Sequence, residues 1–313
     1  RPATARAVRE GVLDPGALRA TATAVRVGVA ARAALLGTPL APGLAELARV
    51  VEPSLASLAD RIDAAVEEDG SDLRDSASPL LRSLRREVAG GAARIQAELS
   101  RIARSSGIRD ALQESFLAER GGRPVLAVRA SGRSKVPGIV HDASATGQTL
   151  FVEPFAVVEL GNRLAEAAAE ARDEAQRILH ELSGLVVGRS GELDALVDAT
   201  AQIDLALGCG SQSRRQGGAP VEIAEVVSLT AARHPLLDRA MAVPIDLELG
   251  ALRGLVISGP NAGGKTVALK TLGLAALLHQ CGVRPPAERA TLPVFDDVLA
   301  DIGDRQSIEM SLS

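Results

Sequence analysis

Gly259, Pro260, Asn261, Ala262, Gly263, Gly264, Lys265 and Thr266 satisfy, in order, the pattern G-x-x-x-x-G-K-[ST] at every specified position. The chemistry such a run performs is the holding of nucleotide phosphates. Glycines let backbone N–H groups wrap an anion with no Cβ in the way, a lysine sets a point charge at the β- and γ-phosphates of ATP, and the hydroxyl of Thr266 is placed to hold Mg²⁺. A glycine turn without a ligand has no need of Lys-Thr at its exit. To do this work the loop must leave a strand and enter a helix N-terminus, where unpaired N–H groups face the anion. The apolar run 255–258 reads as that strand and residues 267–279 as that helix.

The elements that must position this loop are bounded by composition. The chain has 313 residues, 46% hydrophobic, with aromatics at 1% and neither Trp nor Tyr. Length predicts two or three domains, and cores of Leu, Val, Ile and Ala favour helices. Net charge is −4, so a nucleic-acid partner must be met by local basic patches. Lysine occurs only at Lys135, Lys265 and Lys270. The predominance of Arg suits bidentate phosphate contacts and equally suits a compositional habit. Cys209 and Cys281 are far apart and lack a C-x-x-C partner, which suggests a reducing compartment and no disulfide framework. His141, His180, His234 and His279 lack metal-ligand spacing, and no apolar run of about 20 residues stands out, so a zinc site and a membrane span are not expected. The expected location is cytoplasmic.

Taken in order, residues 1–72 read as a helical core broken by Pro and Gly, with Asp14 before Pro15 as a helix cap. The chain starts at Arg1 inside this pattern, which suggests a preceding portion. Residues 73–119 read as one long lever helix. Ser78 caps it ahead of Pro79, and Leu81, Leu84, Val88, Ala92, Ile95, Leu99 and Ile102 form a heptad seam. Residues 120–155 contain short β runs, a β-rich clamp-like tip whose turns carry Arg129, Arg133 and Lys135. That tip suits phosphate-backbone contact and suits an ordinary solvated hairpin equally. A second lever follows at 156–207, with Leu160, Leu164, Ala167, Ala171, Ala175, Ile178, Leu182 and Leu185 as its seam. Residues 208–219 have linker composition, and 220–313 read as the first part of an α/β P-loop domain. The expected fold is therefore mixed and mostly α: a helical core with long antiparallel lever helices and a small β tip, then an incomplete P-loop ATPase.

Residues 258–271, with the loop at their centre, resemble the Walker A segment of the MutS ATPases, and Ala232-Arg233-His234-Pro235 resembles the stretch that precedes it in them. Residues 136–142, 149–154, 292–296 and 300–309 are more similar to the second bacterial MutS paralogue, the subfamily that carries a C-terminal Smr nuclease domain. The resemblance implies a homodimeric, ABC-type ATPase using ATP and Mg²⁺, with Arg233 and His234 on the adenine side or structural. It also implies that Ser313 reaches the γ-phosphate on the partner subunit. Walker B and the catalytic residues would follow Ser313, so the catalytic set is unknown and the chain by itself is expected to be inactive, with endonuclease activity in the Smr domain. Met310 and the non-aromatic stretch 208–218 depart from the family pattern.

The implied function is ATP-dependent clamping of branched or double-stranded DNA by backbone and shape, suppressing homologous recombination. A ribosome-collision factor that contacts rRNA is an alternative the resemblance equally permits. A structural-maintenance-type ATPase fits less well, because there the Walker A segment comes before the coiled arms. Phe151-Val152-Glu153 matches the mismatch wedge of MutS proper, but it sits in the β tip beside Pro154, so mismatch reading is not expected.

Overall fold

The structure, a computed structural model, describes residues 11–38, 41–250, 254–259 and 264–301, with the side chains of 114–117 left aside. It is mixed and mostly helical. Two compact units are present, Arg1–Val197 and Asp198–Ser313.

In the first unit, α1 (Pro15–Leu36) begins where Asp14 Oδ1 accepts the Ala17 N–H at 2.7 Å and Pro15 takes the first helical position. It packs with α2 (Pro42–Arg49) and α3 (Leu55–Ala65), and all three bury narrow apolar stripes. α4 (Pro79–Ala103) is capped by Ser78, whose Oγ accepts the Leu81 N–H at 2.9 Å. α5 (Phe155–Gly188) runs antiparallel to α4: Ser78 meets Glu174, Gly91 meets Leu164, and the Ile102 end shares a cluster with Val157. The expected seam slips by one residue in α4. Ala92 is exposed and Gly91 is buried in its place, because Leu164 fills the groove so closely that a Cβ on Gly91 would lie 3.3 Å from its Cδ1.

The first lever was expected to run to residue 119, but α4 ends at Ala103. Residues 112–120 are instead β1 (Leu112–Arg120), which turns back into β2 (Arg123–Arg129) through Gly121 and Gly122, both at positive φ. Two consecutive left-handed residues give a hairpin turn whose twist matches its strands, so Gly-Gly at 121–122 was the available signal. β3 (Gly138–Ala143) and β4 (Thr149–Pro154) complete an antiparallel sheet in the order β1-β2-β4-β3. Its inner face, Leu126, Val128 and Val152, closes on Ile95, Leu99 and Ile102 of α4 and Val157 of α5.

α6 (Ser190–Gln216) follows α5 after a break at Arg189, and the boundary between the two units falls within it. The linker expected at 208–219 is therefore helix as far as Gln216. Glycines 208 and 210 each cost the helix about 1 kcal/mol. Contacts offset this: buried Ser213 donates to the Cys209 carbonyl at 2.6 Å and accepts the Arg284 N–H at 2.9 Å.

The second unit holds a sheet in the order β5-β8-β6-β7, from β5 (Val221–Ile223), β6 (Val227–Ala232), β7 (Ile245–Gly250) and β8 (Arg289–Leu292). Only β5 and β8 are parallel. The strand expected at 255–258 does not form: those residues have no ladder partner among the described strands, and Val256 is 92% exposed. An extended segment with neither edge paired is not a strand, whatever its apolar content.

Candidate functional site

α7 (Lys265–Gln280) is the helix the glycine loop feeds. It lies on the second sheet through small side chains: Thr271, Ala275 and Ala276 are buried, with Ala275 and Leu272 against Leu229, Ala290 and Leu292. Thr271 donates its hydroxyl to the Val267 carbonyl at 2.7 Å, so this β-branched residue is polar-satisfied where it is buried. At the far end the Gln280 side-chain amide bonds both backbone groups of Phe295, accepting from its N–H and donating to its carbonyl, each at 3.0 Å. The helix is thereby held at its middle and its C-terminus, leaving its N-terminal turn to the loop.

That turn starts at Gly264, whose φ of +80° and ψ of 11° are left-handed, and the loop is entered at Gly259 with φ +145°. Nothing lies within 4 Å of where a Cβ would sit on either residue. These positions need glycine for conformation, not for space. The Lys265 ammonium donates to the Gly259 carbonyl. The first regular helical bond runs from the Ala268 N–H to the Gly264 carbonyl at 2.9 Å, so the N–H groups before it have no intrahelical partner. No acidic residue occupies the first turn. A helix N-terminus with one lysine and no carboxylate is a positive site, and Thr266 presents an exposed hydroxyl on it. Phosphates with Mg²⁺ fit this donor set. Pro260, Asn261, Ala262 and Gly263 lie outside the described residues, as does Ser313.

The other expected site residues are brought to separate places. Arg233 and His234 follow β6. The Arg233 N–H donates to the Pro286 carbonyl at 2.8 Å, its buried Nε has no partner, and His234 Nδ1 accepts the Leu236 N–H at 3.3 Å. Among the described residues neither bonds to the loop. In the β tip, Arg129 and Lys135 are exposed, whereas Arg133 is turned inward. Its guanidinium donates to the carbonyls of Val136 and Gly138, both at 2.6 Å, and so fixes the turn into β3. The tripeptide 151–153 is not a wedge: Glu153 is 1% exposed, paired with His141 Nε2 at 2.7 Å and Arg123 at 3.5 Å, and Phe151 lies under the Arg120 guanidinium.

One polar group in the helix pair carries no sequence signature at all. Glu174 is 8% exposed, accepts from the Ser78 hydroxyl at 2.7 Å, and is gripped by both Arg177 nitrogens at 2.7 and 2.9 Å. The bonds from Arg177 and then Ser78 hold its carboxyl down at about 2. Among the described residues no group of His, Cys, Asp and Glu could hold a metal by itself, and no helix is long and apolar enough to cross a membrane.

A family profile described as MutS domain V matches residues 255–313. The chain is 43% identical to a protein named Endonuclease MutS2 from Symbiobacterium thermophilum, over 98% of this chain and 39% of that one. It is 46% identical to Endonuclease MutS2 of Pelotomaculum thermopropionicum, over 78% of this chain and 32% of the relative. It is 45% identical to that of Thermomicrobium roseum, over 76% and 32%. The chain thus spans about a third to two fifths of the length of these relatives.

Proposed function

Because the chain belongs to the MutS2 branch of the MutS family, we propose that it carries the phosphate-binding half-site of an ATP-dependent DNA-binding protein. The observation that carries this reading is the Lys265 ammonium bonded to the Gly259 carbonyl, with left-handed Gly264 opening α7 and no acidic residue in the helix's first turn. The first-turn N–H groups and the Lys265 ammonium would hold the β- and γ-phosphates of ATP, and Thr266 Oγ1 would hold Mg²⁺. Bound ATP supplies a phosphoanhydride whose hydrolysis is an activity of the whole protein. Lys265 would exchange the Gly259 carbonyl for the phosphate. Arg233 and His234 would lie on the adenine side or be structural; the buried Arg233 Nε has no hydrogen-bond partner among the described residues. Ser313 reaches the γ-phosphate of the partner subunit in a homodimer.

In the same reading α4 and α5 are lever arms and the β1–β4 sheet is the clamp-like tip. Arg129 and Lys135 meet the phosphate backbone of branched DNA there, and the outcome is suppression of homologous recombination. Endonuclease activity, the property in the relatives' printed name, belongs to another part of the whole protein.

The test is anisotropy titration of the chain with labelled ATP and Mg²⁺. Charged hydrogen bonds of this kind are worth about 1.5 to 3 kcal/mol, so Lys265→Ala should weaken binding at least about tenfold while leaving the circular dichroism spectrum unchanged. Equal affinity in the variant would overturn the reading.

A further inference from the structure

Two cysteines separated by 72 residues in the sequence are neighbours in the second unit: Cys209 Sγ donates to the backbone carbonyl of Cys281 at 3.5 Å. Cys281 is the residue that ends α7, and Gly282 after it, at φ +79°, turns the chain so that its missing Cβ would lie 3.9 Å from the same Sγ. The Cys209 thiol therefore faces the C-terminal end of α7. Ser213, one helical turn beyond Cys209, registers the two segments by bonding the Cys209 carbonyl and the Arg284 N–H together. Cys281 is exposed and Cys209 half-buried, and both are free thiols.

The surroundings point to a class of reagent. A cleft of about 550 Å³ is lined by Gly210, Ser213, Arg214, Gly282 and Arg284, of which Gly210 and Gly282 are the chain neighbours of Cys209 and Cys281. Among the described residues no carboxylate pairs with Arg214 or Arg284, so both guanidinium groups are available to a small molecule bearing carboxylates.

We propose that Cys209 and Cys281 are a redox-modification site, closed to an intrachain disulfide by a low-molecular-weight acidic disulfide of the glutathione class. Exposed Cys281, as thiolate, attacks one sulfur of the reagent. The reagent's S–S bond breaks, one reagent thiolate leaves, and a mixed disulfide forms on Cys281. Cys209 then attacks the Cys281 sulfur, expels the second reagent thiolate, and forms the Cys209–Cys281 bond. Overall the two protein thiols lose two electrons and two protons, and the reagent is reduced to two thiols. The product staples the end of the nucleotide-loop helix to α6.

The test exposes the purified, reduced chain to oxidised glutathione and follows intact mass, non-reducing electrophoresis and peptide maps. The wild type should lose two hydrogens, remain a single-chain band and yield a linked peptide containing both cysteines, all reversed by reductant. Cys209→Ser should stop at one glutathione adduct on Cys281, because the resolving thiol is gone. A wild type that ends with two glutathione adducts, or with links only between chains, overturns the proposal. The wild-type result decides the question even if a serine variant folds poorly.

Discussion

The β tip and the nucleotide loop both depend on glycine, for opposite reasons. At Gly138 the chain passes so close to β4 that a Cβ would collide with the Glu153 carbonyl, a rigid backbone group. At Gly264 the space is open and the backbone angles are what a side chain cannot easily adopt. The tip is thus a packed object, built by close approach of elements distant in sequence. The described ends of the loop are conformational features, set by the backbone angles of Gly259 and Gly264. Damage to the tip should show as lost stability, and damage to the loop as lost ligand binding at nearly constant stability.

The largest stability effect should come from Gly138→Ala, about 3 kcal/mol, since neither β3 nor β4 can give without breaking the ladder. Urea denaturation would measure it, with labelled-ATP affinity unchanged under native conditions. A loss below 1 kcal/mol would mean that β3 is not locked against β4. Next is Glu174→Ala, which leaves the buried Ser78 hydroxyl without its acceptor and Arg177 with Glu181 alone, at a cost of about 2 kcal/mol.

That site also has a pH signature. The Glu174 carboxyl is lowered on folding, from 4.5 to about 2. Its contribution is therefore complete above pH 4.5 and is lost as pH falls from there through about 2. Thermal midpoints of wild type and Glu174→Gln should differ at neutral pH and converge across that window. A constant gap would rule out the ionised carboxylate as the source.

Gly264→Ala should cost about 1 kcal/mol through its left-handed backbone, and should weaken ATP binding more than that figure suggests, because the first turn of α7 is displaced. The smallest effects separate two adjacent glycines in α4. Gly90 has open space, with only Arg94 Nη1 at 3.9 Å, so Gly90→Ala should stabilise by roughly 0.5–1 kcal/mol. Gly91→Ala gains the same helix propensity but must displace Leu164, and should come out near neutral. Chemical denaturation of the pair would show whether the seam is as close as the geometry says.

The same contrast explains what could be read in advance. Caps and the loop are local grammar, so Asp14, Ser78 and the 259–266 pattern were legible residue by residue. Gly91 in the seam was not, since a glycine has no hydropathy to announce that a leucine across the groove fills its place. Glu174 was hidden because a buried carboxylate looks like surface until Ser78 and Arg177 are brought to it. Residues 208–216 read as a linker by composition and are helix because Ser213 is held from a distant turn. β1 was absorbed into a lever because Leu112–Arg120 contains enough helix formers to outweigh Gly121-Gly122. At the loop, the start of the following helix was legible but the pairing of the segment ahead of it was not, because pairing is a property of neighbours.

The inward turn of Arg133 has a consequence for how the tip would respond to salt. A cation committed to the carbonyls of Val136 and Gly138 displaces no counterions from a DNA backbone. Of the three basic residues on these turns, Arg129 and Lys135 would remain to do so in the proposed DNA-binding reading, which would set the tip's share of the log–log salt slope near −2, not −3.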